Sequence, residues 1–429
     1  MNITTEKQNN LVSLMQAYML SISGLNQIMG IILKKSEGIM VMNLLPIAFL
    51  IVLHFFTSNK SRDLNMDKKA LLFVYYIVSV IAVYKYAFRH TTFSYTYALV
   101  YCFIPIYLSF YKVNVEKILK YMVFFSALVL PVSDGFFKNV GGGIETIGMS
   151  TTYNLLPFIV AAALHFWYYR KNVGILMWIG YIINIYYLIQ VIFYGNRGPM
   201  VALIVLGAFL ILHEFTPDGK MKKSTTKRTI ITILLGSVMA YVLSNIEDII
   251  VGLYDWLGSM NIEISALSKS VLTIRRGDLS NGRDWILSFT KRGIKENFLL
   301  GNGISTILYN SNGHVVYPHN LFYQLWYDLG IIVSIPMFYL IGKATFITTF
   351  KSNLNKEYSI MMMFLFTIAI PRLCFSTEFW TTIPFWFLLV YTISPNIYGM
   401  RTNDEGKYEE VELKEKLLKK GAVKKHEKH

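Results

Sequence analysis

A histidine and an asparagine stand where a polar segment meets a long apolar run, in the stretch YPHNLFYQLWYDLG from Tyr317 to Gly330. Pro318 suits the first turn of a helix, so the stretch predicts a membrane helix that begins at His319. The positive end of the helix dipole disfavours a charged imidazole, and we expect His319 to be neutral at pH 7. A neutral imidazole can accept a proton from a hydroxyl group or bind a phosphate oxygen. A polar anchor at the membrane border is the alternative interpretation.

Arginines cluster in the segment that precedes this helix, RRGDLSNGRDWILSFTKRGIKENFLLGNGIS. Asn281 and the aspartate three positions later predict a helix start with Arg283 in the first turn and an end near Glu296. Free backbone N–H groups at this start, together with Arg275, Arg276 and Arg283, would form a site for an anion such as phosphate. A solvated run of charges in an external loop is the alternative interpretation.

Another arginine lies in the stretch FYGNRGPMV, which interrupts an apolar run from Val173 to Leu212. The Gly, Asn and Pro residues around Arg197 predict a tight turn that leads into a helix with proline in its first positions. An arginine at the edge of the membrane is costly unless it has a partner, so Arg197 is a further candidate site residue. A snorkelling or salt-bridged arginine is the alternative.

The composition indicates the solvent that surrounds these segments. Of the 429 residues, 54% are hydrophobic and 16% are charged, and the mean hydropathy is +0.43. Such a chain is too apolar for one water-soluble core. Apolar runs of roughly 17 to 25 residues can cross the hydrocarbon layer, and they predict an all-α polytopic integral membrane protein with about twelve helices. These runs lie near residues 11–33, 39–56, 70–87, 92–111, 115–133, 153–169, 173–194, 200–215, 229–246, 319–342, 358–371 and 382–398.

Basic residues in short loops stay cytoplasmic, and their alternation along the chain predicts that both termini lie inside the cell. The chain then divides into nine membrane helices in 1–246, a large extracytoplasmic loop in 247–318, three more helices in 319–398 and a charged cytoplasmic tail in 399–429. The net charge of +15 follows from the loops and the tail, so we expect no nucleic-acid partner. Cys102 and Cys374 have no spacing typical of a disulfide or a metal site.

The large loop also has the pattern of an amphipathic helix. Apolar side chains recur there at spacings of three and four, at Leu253, Leu257, Met260, Ile264, Leu267, Val271 and Ile274. This pattern predicts one helix that lies on the outer membrane surface or packs across the spanning helices, where it would roof a cavity. A structural strap without a functional role is the alternative.

Three features between Arg197 and Gly330 resemble the bacterial O-antigen polymerase and O-antigen ligase superfamily of lipid-linked glycan transferases. They are the turn GNRGP, the loop motifs NGRDW and ENFLLGNGIS, and HNLFYQLWYDLGI at the next helix. Their order, their common external side and the twelve-helix frame carry the resemblance, which closely covers about a third of the chain. The segment KNVGGGIETIGMSTTYN departs from it, because it lacks the glycine, asparagine and proline pattern of many members.

The resemblance implies a GT-C-like fold and the transfer of a glycan from undecaprenyl diphosphate to a sugar hydroxyl, on the outer face of the bacterial cytoplasmic membrane. By this resemblance, Arg197 and Arg283 neutralise the diphosphate leaving group, and His319 orients or deprotonates the acceptor hydroxyl. Positioned arginines stabilise the charge that develops on departing phosphate oxygens. The external loops contain no acidic cluster, so we expect a metal-independent glycosyltransferase without a cofactor. The residues expected to bind the diphosphate are Arg197, Arg275, Arg276, Arg283 and Asn320.

Within this superfamily we favour a repeat-unit polymerase, because the richness in Lys, Asn, Ile and Tyr resembles capsule or exopolysaccharide polymerases. The alternatives are a ligase-type transferase to another acceptor and, from a different class, a lipid-linked oligosaccharide flippase or transporter. A transporter tends to have two related halves and charges near the bilayer midplane, whereas these halves are dissimilar. The implied partners are the lipid-linked donor and acceptor, membrane lipid, and a chain-length regulator and a flippase of the same pathway.

Overall fold

The computed structural model describes residues 5–32, 44–50, 67–87, 98–136, 139–141, 144–146, 149–171, 173–194, 197–213, 246–275, 283–350, 355–397, 400–402 and 408–410. This part of the chain is nearly all helical, as the sequence predicts. Two short antiparallel pairs are the exception: β1 (Asn139–Gly141) with β2 (Ile144–Thr146), and β3 (Met400–Thr402) with β4 (Tyr408–Glu410).

Most helices follow the apolar runs of the sequence. The helices are α1 (Thr5–Ile32), α2 (Lys68–Ala87), α3 (Ile104–Leu108), α4 (Val115–Phe136), α5 (Met149–Tyr169), α6 (Ile175–Tyr194), α7 (Arg197–Leu212), α8 (Ile246–Ser259), α9 (Ser265–Arg275), α10 (Arg283–Glu296), α11 (Ile307–Asn310), α12 (Leu321–Thr349), α13 (Lys356–Phe375) and α14 (Ile383–Ile393). Four of them, α8 to α11, lie in the predicted external loop. Residues 44–50 are also helical. A π-helix, Ala98–Phe103, precedes α3, and a 3-10 turn, Phe379–Thr381, precedes α14. The predicted run at 229–246 lies almost entirely outside the described residues, as does most of 39–56.

Four helices in the described part of the chain are long and apolar enough to cross a membrane: α2, residues Ile175–Phe193 of α6, α12 and α13. Large apolar side chains of α6 point outward, and Ile175 is 76% exposed and Ile182 64% exposed. Exposed apolar surface of this kind suits contact with lipid. The presence of these helices supports the interpretation of the chain as a membrane protein. The number of twelve membrane spans stays a prediction.

Helices α13 and α14 form the centre of the described bundle. Every side chain from Met361 to Leu365 in α13 and from Phe385 to Tyr391 in α14 is 0% exposed. Helix α13 contacts α5, α7, α12 and α14. A helix that is apolar on all sides is buried among others, so the end of α13 at Phe375 lies close to the ends of its neighbours.

Helix α12 is interrupted at Gly330, which has φ 69° and ψ 170°. The segment ENFLLGNGIS runs beside this break and supplies backbone hydrogen bonds to it. The N–H of Asn302 donates to the carbonyl of Tyr327 at 2.7 Å, and the N–H of Gly303 donates to the carbonyl of Asp328 at 3.0 Å. A break in a helix leaves carbonyl groups without partners, and this segment provides the partners here.

Two glycines allow the segment and the break to approach each other. Gly301 has φ 75° and Gly330 has φ 69°, a left-handed conformation that glycine adopts without steric cost. A Cβ atom on either glycine would collide with the backbone of the other segment. The N–H of Ile331 also donates to the carbonyl of Phe298 at 3.0 Å. The close approach of the two backbones therefore explains the glycine at position 301 of the ENFLLGNGIS motif and the glycine at position 330 of the HNLFYQLWYDLGI motif.

The prediction of one amphipathic helix in the loop is wrong, because the chain forms two helices, α8 and α9, separated by a turn at Asn261. This residue has φ 56°, a left-handed conformation that asparagine tolerates better than most residues. The N–H of Ile262 donates to the carbonyl of Leu257 at 3.0 Å, and that of Asn261 to Gly258 at 3.0 Å. This pairing ends a helix at a left-handed residue. Apolar residues keep the same spacing on both sides of the turn, so the sequence pattern does not predict the turn.

Candidate functional site

The first arginine of the site lies at the start of α10. This helix begins at Arg283 and ends at Glu296, so the predicted end is confirmed. It packs on α12 through Gly293, where a Cβ atom would collide with the ring of Tyr327. The side-chain amide of Asn302 donates to the carbonyl of Gly293 at 3.0 Å. These contacts fix α10 against α12 and bring its first turn towards the start of that helix.

Helix α12 begins at Leu321, two residues after the predicted start at His319. The side-chain oxygen of Asn320 accepts hydrogen bonds from the N–H groups of Phe322 at 3.0 Å and Tyr323 at 3.2 Å, which makes Asn320 the N-cap. His319 lies outside the helix and has φ 55°. Few residues other than glycine adopt this conformation, and such strain is concentrated at functional sites.

The imidazole of His319 is held by the end of α13. Its Nδ1 atom lies 3.1 Å from the carbonyl oxygen of Phe375. Because a carbonyl only accepts hydrogen bonds, we assign the proton to Nδ1, which leaves a lone pair on Nε2 of the neutral ring. Burial lowers the pKa of His319, the hydrogen bond to Phe375 raises it and the charge of Arg283 lowers it, with a net downward direction. The expectation of a neutral imidazole is therefore supported.

The start of α7 also lies at the end of α13, next to Phe375. This helix begins at Arg197, as GNRGP predicts, while the side chain of Arg197 lies outside the described part. The next residue is Gly198, on which a Cβ atom would collide with the hydroxyl of Tyr153 and lie 3.4 Å from Cβ of Phe375. The absence of a side chain at Gly198 thus brings the first turn of α7 against the end of α13.

Arg372, which lies in the last turn of α13, is not among the site residues that the sequence predicts. Its guanidinium carbon lies 5.6 Å from the ring centroid of Tyr153 in α5. The Nε atom of Arg372 and the hydroxyl oxygen of Tyr153 are both buried, and neither has a hydrogen-bond partner among the described residues. The apolar stretch AIPRLCF contained the signal, because an arginine inside a membrane helix is costly and tends to be functional.

The charge of Arg283 reaches the same cluster. The guanidinium of Arg283 interacts electrostatically with the side chains of Tyr153, Tyr317 and His319. The guanidinium of Arg372 interacts electrostatically with the same two tyrosines. The rings of Tyr317 and His319 are in contact, with centroids 4.3 Å apart. Arg283 and Arg372 therefore converge from α10 and α13 on one set of hydroxyl groups beside His319.

A half-buried carboxyl group borders this cluster. Glu378 follows the end of α13, and burial raises its pKa to about 7. Its charge acts on Tyr317, whose hydroxyl also interacts with the side chain of Ser376. Burial is the largest influence on the pKa of Tyr317 and raises it, while the charges of Arg372 and Arg283 lower it and that of Glu378 raises it. The segment after α13 thus supplies the polar lining of the site.

The remaining predicted residues are less closely connected to the cluster. Arg275 ends α9 and is exposed. Arg276 and the predicted helix start at Asn281 lie outside the described residues. Asn320 uses its side-chain oxygen to cap α12. The roles of these residues in diphosphate binding stay predictions.

Four helix ends meet at the site: the starts of α7, α10 and α12 and the end of α13. Helix starts carry partial positive charge and free N–H groups, and two arginines add full charges. His319 adds a lone pair on Nε2. Such an arrangement can hold an anionic leaving group and accept a proton next to it. In the described part of the chain, no group of three or more His, Cys, Asp or Glu side chains is placed to hold a metal ion.

No model of a protein family matches the chain, and no curated protein matches it with significant sequence similarity. The resemblance to the O-antigen polymerase and ligase superfamily therefore rests on the motifs themselves.

Proposed function

We propose that this protein is a polysaccharide polymerase of the bacterial cytoplasmic membrane. It transfers a growing glycan from undecaprenyl diphosphate to a sugar hydroxyl of a lipid-linked repeat unit, on the outer face of the membrane. The observation that carries the proposal is the meeting of Arg283, the helix start at Arg197 and a neutral His319 at one place. Three motifs far apart in the sequence are close together there.

The donor half of the reaction requires stabilisation of a leaving group. The bond between the anomeric carbon and the diphosphate oxygen breaks, and its electron pair stays on the diphosphate. Arg197 and Arg283 bind the phosphate oxygens on which this charge develops, and the starts of α7 and α10 add their partial charges. Charge that is fixed before the reaction stabilises the transition state in a site from which water is largely excluded.

The acceptor half of the reaction requires a base. The acceptor hydroxyl oxygen forms the new bond to the anomeric carbon, and its proton moves to Nε2 of His319. The hydrogen bond from Nδ1 to the Phe375 carbonyl keeps this tautomer and orients the ring, as a third group does in other base-assisted sites. The left-handed backbone at His319 turns the imidazole away from the axis of α12 and towards α13.

Reconstitution tests this proposal directly. Purified protein in detergent is given lipid-linked repeat units and a chelator, and the products are separated by length. We expect a ladder of lengthened glycans, because guanidinium groups and not a metal ion neutralise the leaving group. Wild-type protein that leaves intact repeat units unchanged would contradict the proposal.

The same assay separates the two other functions. A ligase-type transferase yields no ladder from repeat units alone and a single transfer once a second acceptor is added. A flippase moves labelled repeat units across the membrane of proteoliposomes without lengthening them. A ladder that forms without another acceptor therefore identifies a polymerase.

A further inference from the structure

Two buried polar atoms on neighbouring side chains next to the site have no described partner. Tyr153 is 1% exposed, and its hydroxyl has no hydrogen-bond partner among the residues that the structure describes. The same holds for Nε of Arg372, whose guanidinium faces the Tyr153 ring. Buried polar groups are nearly always hydrogen-bonded, since an unpaired one is costly. Two such groups at one place point to a ligand that binds between them.

A third feature at this place also attracts anions. Helix α7 has 16 residues, and its first turn carries free N–H groups and partial positive charge. Gly198 in this turn lies so close to the Tyr153 hydroxyl that a Cβ atom would collide with it. The phenol and the guanidinium can both donate hydrogen bonds, and the guanidinium cannot accept any. The ligand is therefore an acceptor of hydrogen bonds with negative charge.

We propose that Arg372, Tyr153 and the first turn of α7 form a phosphoryl pocket that receives one of the two phosphoryl groups of a lipid diphosphate. Arg283, whose charge acts on the same Tyr153 hydroxyl, binds the other phosphoryl group from the side of α10. The assignment of the ligand as a lipid diphosphate rests on the proposed function. The assignment of a phosphate as the ligand does not rest on the proposed function, because it follows from the two hydrogen-bond donors and the helix start that form the pocket.

The variant Tyr153→Phe tests the pocket with little disturbance of the fold. It removes one oxygen atom that has no described partner in the protein, so the melting temperature without ligand should stay at the wild-type value or rise. Binding of farnesyl diphosphate in detergent, measured by calorimetry, should weaken about 10-fold, because a hydrogen bond to a charged group is lost. Arg372→Lys keeps the charge and loses the planar fork, and Kd should rise by about 10- to 100-fold.

A matched control lies at the opposite end of α13. The hydroxyl of Tyr358 donates to the carbonyl of Tyr391 at 3.1 Å, about 20 Å along the helix from Arg372. Tyr358→Phe should lower the melting temperature and leave Kd for farnesyl diphosphate unchanged. Wild-type Kd values for both Tyr153→Phe and Arg372→Lys, or no binding of farnesyl diphosphate to the wild-type protein, would overturn the proposal.

Two further probes identify the source of the phosphate. Inorganic diphosphate should bind more weakly than farnesyl diphosphate, and farnesol should not compete, if the pocket serves a lipid headgroup. Inorganic diphosphate that binds as tightly, with the same loss in Arg372→Lys, would overturn the lipid assignment. The binding assay uses no glycan, so its outcome is independent of polymerisation. A protein that binds through the pocket and makes no ladder contradicts only the polymerase proposal.

Discussion

His319 combines strain, a fixed tautomer and a position within the field of Arg283. Its left-handed φ of 55° is a conformation that costs of order 1–3 kcal/mol at residues other than glycine. The hydrogen bond to Phe375 at 3.1 Å and the cap formed by Asn320 maintain this conformation. A residue that only anchored the helix would not need it, which favours a chemical role.

The variant His319→Gln separates these two roles. Glutamine still hydrogen-bonds and has no charge, so an anchoring role predicts a normal rate. Loss of a general base should lower the transfer rate by about 10²- to 10⁴-fold, with lipid-diphosphate binding retained. The measurement is the length of polymer made in cells that express only the variant. His314→Gln, in an exposed residue of the same segment, should give wild-type ladders, and wild-type ladders from His319→Gln would assign that residue to anchoring.

The transfer rate should depend on pH through the same imidazole. Burial lowers the pKa of His319 below its ordinary value of 6.5, so the base is unprotonated at neutral pH. The rate should be constant above about pH 7 and fall as the pH drops below 6.5, because the protonated ring cannot accept a proton. Initial rates measured between pH 5 and pH 8 check this, and a rate that rises on acidification would contradict it.

Arg283→Lys should affect donor binding as well as turnover. Lysine keeps the charge but lacks the fork that grips two phosphate oxygens, so Kd for the lipid diphosphate should rise about 10-fold or more. Arg197→Lys should behave in the same way. Arg292→Lys is the control, since Arg292 is exposed on the same helix and should bind and turn over normally. Unchanged Kd in Arg283→Lys would remove this residue from the donor site.

The sequence predicts the residues of the site that stand at the edges of apolar runs. Arg197, Arg283 and His319 interrupt or border such runs and are therefore visible in the sequence. Arg372 has a signal in the sequence, a charge inside the apolar stretch AIPRLCF, whereas Tyr153 has none, because its significance lies in a contact between α13 and α5. Periodicity and spacing contain no information on contacts between segments so far apart in the chain.

At the scale of elements, the break in α12 is the feature that orders the site. Gly330→Ala places a Cβ atom against the backbone of Leu299 and Gly301 at a left-handed position. We expect a loss of about 3 kcal/mol or more in the free energy of unfolding, seen as a lower melting temperature and a lower yield. Gly342→Ala in the same helix is the control, because its Cβ would meet open space and alanine favours the helix. Equal stability of the two variants would show that the close approach at Gly330 is not required.

The helices themselves are mostly predictable, whereas their interruptions are not. Apolar runs indicate α4, α5, α6, α7 and α13 closely, since burial in a membrane requires continuous apolar sequence. The turns at Gly330 and Asn261 occur inside runs whose apolar pattern continues. Hydrogen bonds from the ENFLLGNGIS segment stabilise the first of these turns, and a local pattern cannot predict a partner that lies in another element.

For the whole molecule, the composition predicts a membrane protein because the hydrophobic fraction is a property of the entire chain. The distribution of basic residues in short loops predicts the side of the membrane on which the site lies. The site and the exposed residue Asn310 should then be extracytoplasmic, while Lys171, exposed between α5 and α6, should be cytoplasmic.

Cysteine labelling checks this topology. In a chain whose two native cysteines are replaced by alanine, a cysteine at position 310 should react with an impermeant reagent in intact cells. Cysteines at position 171, and at position 224 outside the described residues, should react only after the cells are opened. Labelling in the reverse pattern would exclude a reaction on the outer face of the membrane.

The pairing of ENFLLGNGIS with the break in α12 also constrains the order of events during biosynthesis. The segment is translated before α12, since residues 297–303 precede residue 330. A bent α12 without it would expose the carbonyls of Tyr327 and Asp328 to lipid, where unpaired backbone groups are strongly disfavoured. We therefore expect the break in α12 to form together with the docking of the segment, and a newly inserted chain to be inactive until both are in place.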